Sequence, residues 1–265
     1  MNRIDIRFRE LRHRKEKALV VYLTVGFPTV PALVPLVKAC QRAGVDLLEL
    51  GIPFSDPLAD GPTIQAASQR ALEQGVTPAL VLRQVARLRR FGIRLPIALM
   101  TYYNPIFHYG LKRFCRDAVS SGADGIIVPD LPPEESQELK EAARRAHLET
   151  IFLASPTSSR QRFASIARVS SGFIYYVSLT GVTGARKQLP KEMGTHVRVL
   201  RRMTRLPICV GFGVSRPEQI RQVTKVADGA IVGSALIDVI ARSGRRAPEM
   251  SQRFLKKLKE ACRTW

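Results

Sequence analysis

Eight short apolar runs, alternating with longer amphipathic stretches, predict an α/β protein closed into a (β/α)8 barrel. Three observations carry this. The runs are rich in Val, Ile and Leu and bounded by Gly, Pro or Asp, the pattern of parallel strands covered on both faces. The stretches between them repeat apolar residues every three or four positions. Eight such units fit 265 residues, close to the roughly 250 typical of the TIM-barrel architecture. An open doubly wound sheet also satisfies right-handed crossovers. No GxGxxG follows the first run, however, which counts against a dinucleotide-binding sheet.

The strands are read as VVYLTV (20–25), DLLEL (46–50), PIALM (96–100), GIIVP (125–129), TIFLA (150–154), FIYYVS (173–178), PICVG (207–211) and GAIVG (229–233). VPALVPLVKACQRAG (30–44) and PALVLRQVARLRRFG (78–92) are the clearest helices. EESQELKEAARRAH (134–147) is another, with Asp130 and the double proline marking its start. The segment Ile4–Glu16 forms an extra N-terminal helix, placed to cap the barrel floor. A short helix follows the eighth strand. No linker or low-complexity segment divides the chain, so 1–265 reads as one domain.

Composition narrows the class. Hydrophobic residues make up 45%, ordinary for a globular protein. No apolar run approaches the roughly 18–20 residues a membrane span needs. The basic N-terminal stretch is not followed by an apolar core and cleavage site, so a cytoplasmic location is expected. Cys40, Cys115, Cys209 and Cys262 form no CxxC pair. His13, His108, His147 and His196 show no ligand spacing. Neither a disulfide framework nor a bound metal is expected. The net charge of +20 is unusual. Residues 1–17 hold seven Lys/Arg against three acids, and residues 242–265 hold eight against two, so the two ends supply half the excess. Such charge suits a polyanionic partner or simply solvated helix faces. No nucleic-acid motif or interleaved aromatics accompany it, so solvated faces are the expectation, with some steering of an anionic substrate.

In a barrel, chemistry sits at the C-terminal ends of the strands and in the loops beyond them. Glu49 lies inside an apolar run, on the face of Leu47 by alternation. Buried without a partner, its carboxylate is destabilised or takes up a proton. The competing reading is an ion pair with a buried Lys or Arg, but none of the eight runs contains one. The next loop sets Asp56 and Asp60 among Pro53, Pro57 and Pro62, which stiffen it. Spacing alone leaves Asp60 open between an acid held over the mouth and an ordinary turn residue.

SLTGVTGARKQLP (178–190) has the glycines of a lid, or of a plain surface loop, and Gly184 can offer an N–H to an anion. Gly211 and Gly213 follow the seventh strand, with Ser215 as a cap for the next helix. Gly233-Ser234 opens a helix after the eighth. Barrels frequently hold phosphate on such glycine turns and helix N-termini after strands seven and eight. The residues therefore predict a phosphate ester opposite two carboxylates, and acid–base chemistry such as proton transfer or carbon–carbon cleavage.

LELGIPFSDPLADGPTIQAA (48–67) resembles the signature of tryptophan synthase alpha subunits. YLTVGFP (22–28), YVSLTGVTGAR (176–186), GFGVS (211–215) and GSA (233–235) match the same family, in order and at its spacing. The resemblance implies a lyase of tryptophan biosynthesis that splits indole-3-glycerol phosphate into indole and glyceraldehyde 3-phosphate. Glu49 would be the main acid–base group. Asp60 would accept the indole N–H, and Thr183 would bond Asp60 when the lid closes. Phosphate would rest near Gly184, Gly213, Gly233 and Ser234. Tyr22, Met100, Tyr102, Ile127, Tyr175 and Phe212 would line the indole pocket.

The resemblance also implies a pyridoxal-phosphate beta subunit in an αββα heterotetramer, with no cofactor in this chain. Loop 53–60, YNPIFHYG (103–110) and the region near Pro132 would meet that partner, with Phe54, Pro57 and Phe107 exposed. Neither a membrane nor a specific nucleic acid is expected as a partner. A stand-alone lyase releasing free indole shares the same residues. A non-catalytic activator of the beta subunit, or a basic nucleic-acid binder, is the other reading, against which Glu49, Asp60 and Thr183 stand.

Overall fold

Each of the eight apolar runs forms a strand. The computed structural model describes residues 2–177, 192–211 and 213–263. The strands are β1 (Ala18–Thr24), β2 (Leu47–Gly51), β3 (Ile97–Met100), β4 (Gly125–Ile127), β5 (Glu149–Ile151), β6 (Leu153–Ala154), β7 (Ile174–Val177), β8 (Ile208–Gly211) and β9 (Gly229–Val232). All pairings are parallel, in the order β5-β4-β3-β2-β1-β9-β8-β7-β6. The fifth predicted strand is thus divided at Phe152. Its first part pairs with β4 and its second with β7. The two ends of the sheet are therefore joined by the chain itself, and the sheet curls into a nearly closed barrel. The Tyr175 N–H donates to the Phe152 carbonyl at 3.1 Å, so the division keeps its ladder bond.

Alternation along the strands sorts side chains into two sets. Val20, Tyr22, Leu47, Ala98, Met100, Ile127, Tyr175, Cys209 and Ile231 share one cluster inside the barrel. Leu19, Val21, Leu48, Leu50, Leu99, Ile174 and Val210 pack outward among helix residues such as Leu36, Val85 and Phe114. Helices follow the strands, doubled after β2, β3 and β9. Among the described residues, no helix is long and apolar enough to cross a membrane.

The N-terminal helix spans Arg3–His13, with the Asn2 side chain accepting the Ile4 N–H at 2.9 Å. Ile4, Phe8 and Leu11 form its buried stripe and close the floor. Phe8 meets Phe173 at 5.8 Å between ring centroids. The helix over the 134–147 stretch starts later than its sequence suggests. Pro133–Glu135 is a 3-10 turn and the α-helix is Gln137–Ala146. Asp130 does other work: its carboxylate accepts the Tyr103 N–H at 3.0 and 3.1 Å, at the start of the helix Tyr103–Tyr109.

At the floor, side chains just before β2, β4, β7 and β9 bond the starts of β1, β3, β5 and β8. Asp46 accepts the Leu19 N–H at 2.6 Å, Asp124 the Ile97 N–H at 2.8 Å, and Asp228 the Ile208 N–H at 2.9 Å. Ser171 accepts the Thr150 N–H at 2.8 Å. Cations complete the three acids: Lys259 and Arg7 on Asp46, Arg3 and Arg89 on Asp124, Arg201 and Lys17 on Asp228. Part of the positive charge thus neutralises the floor.

Candidate active site

β2 aims Glu49 into the barrel because Leu47, two residues earlier, faces inward. Its strand neighbours are Tyr22 on β1 and Ala98 on β3. Both carboxylate oxygens are buried and neither has a hydrogen-bond partner among the described residues. Loss of water is uncompensated, and burial pushes the Glu49 carboxyl up to about 8. At neutral pH Glu49 is therefore mostly the neutral acid.

Asp60 lies where the loop after β2 meets the helix Pro62–Glu73. Pro62 occupies the first helical turn, where its missing N–H costs nothing. The loop is pinned by Tyr102. The Tyr102 hydroxyl accepts the Ala59 N–H at 2.9 Å and donates to the Asp60 carboxylate. Burial raises Asp60 to about 6, against the lowering effect of that hydrogen bond. Asp60 therefore remains mostly ionised at pH 7, although its surroundings are less polar than a solvated loop.

One cavity joins these groups. Its walls include Tyr22, Glu49, Asp60, Met100 and Tyr175, and its far end Gly213, Gly233 and Ser234. Backbone without side chains makes room for the aromatic walls. A Cβ on Gly51 would overlap the Tyr22 hydroxyl, and one on Gly211 the Tyr175 hydroxyl. At the far end, Gly213 has φ +78°, which glycine adopts freely. The helix Ser234–Ser243 begins at the predicted Gly-Ser step. Its Leu236 and Ile237 N–H groups bond back to the Gly233 carbonyl. The N–H groups of Ser234 and Ala235 precede that first turn, at the positive end of the helix. Such a helix end suits an anion, and Tyr22, Met100 and Tyr175 offer apolar walls beside it.

Two predicted wall residues lie against the walls named above. Tyr102 is buried beside the cavity, where its hydroxyl holds the Asp60 loop through the Ala59 N–H and the Asp60 carboxylate. Ile127 belongs to the inner core beside Met100 without reaching the cavity. Thr183, Gly184 and Phe212 lie outside the described residues. Ser215 is not the helix cap: the helix Pro217–Thr224 has Arg216 at its N-cap, and the Gln219 side chain accepts the Ser215 and Arg216 N–H groups. Thr63, Ile64 and Asp238 are walls that sequence reading missed. Thr63 donates to Asp238 at 3.3 Å. Their signal was position: Thr63 opens the helix after Asp60, and Asp238 lies one turn after Ser234.

The mouth also carries exposed apolar groups. Phe107 is 57% exposed, as expected. Phe54 and Pro57 are half-buried, and the Phe54 ring packs against Tyr102 at 5.5 Å between centroids. The large exposed apolar side chain of that loop is Leu58, at 93%.

The family described as Tryptophan synthase alpha chain matches residues 8–264. The Tryptophan synthase alpha chain of Citrifermentans bemidjiense is 49% identical over 98% of this chain and 97% of its own length. That of Chloroflexus aggregans is 51% identical over 91% of each. The crystal structure of the alpha subunit from Legionella pneumophila superposes with a TM-score of 0.92 at 39% identity, covering 99% of this chain and 98% of that one. A Mycobacterium tuberculosis tryptophan synthase structure gives 0.91 at 35% identity, covering 100% and 99%. With this fold, and with Glu49, Asp60, Gly233 and Ser234 around one cavity, the chain belongs to the tryptophan synthase alpha chain family.

Proposed function

We propose that this chain cleaves indole-3-glycerol phosphate to indole and glyceraldehyde 3-phosphate, as the alpha subunit of a tryptophan synthase. One observation carries the reading. Two carboxyl groups on one cavity are driven to different ranges, Glu49 to about 8 and Asp60 to about 6. At neutral pH that makes one an acid and the other a base.

The protonated Glu49 gives its proton to the indole carbon that bears the glycerol chain. The ring nitrogen becomes positive, and the Asp60 carboxylate accepts its N–H. The Glu49 carboxylate then takes the proton of the adjacent glycerol hydroxyl. That oxygen's electrons form the aldehyde as the carbon–carbon bond breaks, and the bonding pair returns to the ring as indole. The phosphate stays at Gly213, Gly233 and Ser234, which fixes the ester relative to both carboxylates. Proton transfer by a placed group of suitable pKa is worth about 10²–10⁴-fold.

The chain itself needs no cofactor; pyridoxal phosphate belongs to the beta subunit it works with. Leu58 and Phe107 are apolar groups suited to that contact. The chain acts as one domain, 1–265, in the cytoplasm. An assay of indole-3-glycerol phosphate cleavage, with and without a beta subunit, tests the reading. Slow cleavage alone and a sharp rise with the partner are expected. A full rate alone would make it a stand-alone lyase. No cleavage under either condition would sink the proposal.

A further inference from the structure

At the barrel floor, away from the cavity, a cleft opens between the end of the first helix and the end of the last. Arg12, Arg14, Lys15, Lys17 and Arg263 rim it, and Phe8, Leu11 and Pro207 form its apolar wall. The two basic ends of the sequence meet here. The cleft holds two acids, Glu16 and Asp228. Both are engaged. Glu16 faces Lys259 at 3.8 Å and Arg263 at 4.0 Å. Asp228 bonds Arg201 at 2.6 Å and faces Lys17 at 3.8 Å, besides accepting the Ile208 N–H. Among the described residues, Arg12, Arg14 and Lys15 have no ion-pair partner.

Lys15 adds an independent observation. Its φ is +56°, in the left-handed region. It follows the helix where glycine is the usual residue, because a Cβ is disfavoured in that conformation. The Glu16 N–H returns to the Leu11 carbonyl at 2.9 Å, the bond such a helix ending requires. The chain thus holds an ammonium, in a disfavoured backbone conformation, on the rim of a cleft that is already positive.

We infer that this floor cleft binds a small anion carrying several phosphate charges, a di- or triphosphate. Cations spread along the rim suit oxygens spread along a phosphate chain better than a single phosphate. The site is independent of the lyase reading.

Calorimetric titration of the full chain with tripolyphosphate, pyrophosphate and orthophosphate tests it. The variant Arg14→Ala/Lys15→Gly removes two rim charges, and glycine suits the left-handed position, so the fold is kept; a thermal melt checks this. Arg83→Ala/Arg90→Ala removes the same charge from a different helix. Tripolyphosphate affinity is expected to fall about tenfold or more in the floor variant and less than about twofold in the control. Affinity should rise from orthophosphate to tripolyphosphate. Equal losses in the two variants would reduce the effect to general surface charge and overturn the site. So would an unchanged affinity in the floor variant, or no tripolyphosphate binding at about 0.15 M salt.

Discussion

Asp46 at the floor and Glu49 three residues later are both sealed from water, at 0% and 1% exposure. Asp46 lies against the Lys259 ammonium and the Arg7 guanidinium, each at 2.6 Å, and accepts the Leu19 N–H. Glu49 has no hydrogen-bond partner among the described residues on either oxygen. Burial is the same and satisfaction is opposite. A paired and hydrogen-bonded buried acid fixes the strand ends it bridges. An unpaired one keeps its proton and can give it away. One strand thus carries a paired acid at its start and an unpaired one, the proposed proton donor, three residues on, in keeping with the division of barrels into a stabilising bottom and a reactive top.

The sharpest way to break this contrast is to neutralise the mouth acid. Glu49→Gln keeps the shape and loses the transferable proton. Cleavage should fall by about 10³-fold or more, while phosphate-ester binding persists. Near-normal turnover in the cleavage assay would remove Glu49 from the chemistry. Stability should move the other way. The folded carboxyl is raised to about 8 from an ordinary 4.5, so the folded state holds a proton that the unfolded state releases. This favours folding fully below about pH 4.5 and is lost as pH rises to about 8. Denaturant melts at pH 5 and pH 8 should therefore show Glu49→Gln gaining on the parent at the higher pH, by on the order of a few kcal/mol.

At the floor the same kind of substitution should do the reverse. Asp46→Ala leaves the Lys259 ammonium, 3% exposed, without its closest acid, and removes the acceptor for the Leu19 N–H. A loss of about 3–5 kcal/mol is expected in urea unfolding, with turnover per folded molecule retained. If Asp46→Ala lowered turnover but left stability intact, floor and mouth would not be separable in this way.

Legibility in the sequence followed the same division. All eight strands could be read, because buried parallel strands leave continuous apolar runs. Glu49 stood out because a carboxylate interrupts such a run. Asp60 did not, since proline-rich turns favour aspartate whatever its role. Its part came from the resemblance of its loop to a family. The floor network was illegible: Asp46 and Lys259 are 213 positions apart, and no local pattern pairs them. Tyr102 came in as a cavity wall only through the family resemblance. Its phenol, just beyond β3, reaches the loop of another strand, a contact no local pattern announces.

Tyr102 gives the finest test of how the mouth is tuned. The Tyr102 hydroxyl lowers Asp60 by donating to it and anchors the loop by accepting the Ala59 N–H. Tyr102→Phe removes both effects, and a pH profile separates them. Loss of the anchor alone loosens the loop and lowers kcat/KM equally at every pH. Loss of the donor lets burial raise Asp60 further above about 6. The acid limb of kcat/KM then moves to higher pH, costing about threefold at pH 6 and little at pH 8. A uniform drop would leave Tyr102 as a mechanical clamp. A displaced limb would mean that Asp60, unlike Glu49, owes its charge to one named partner.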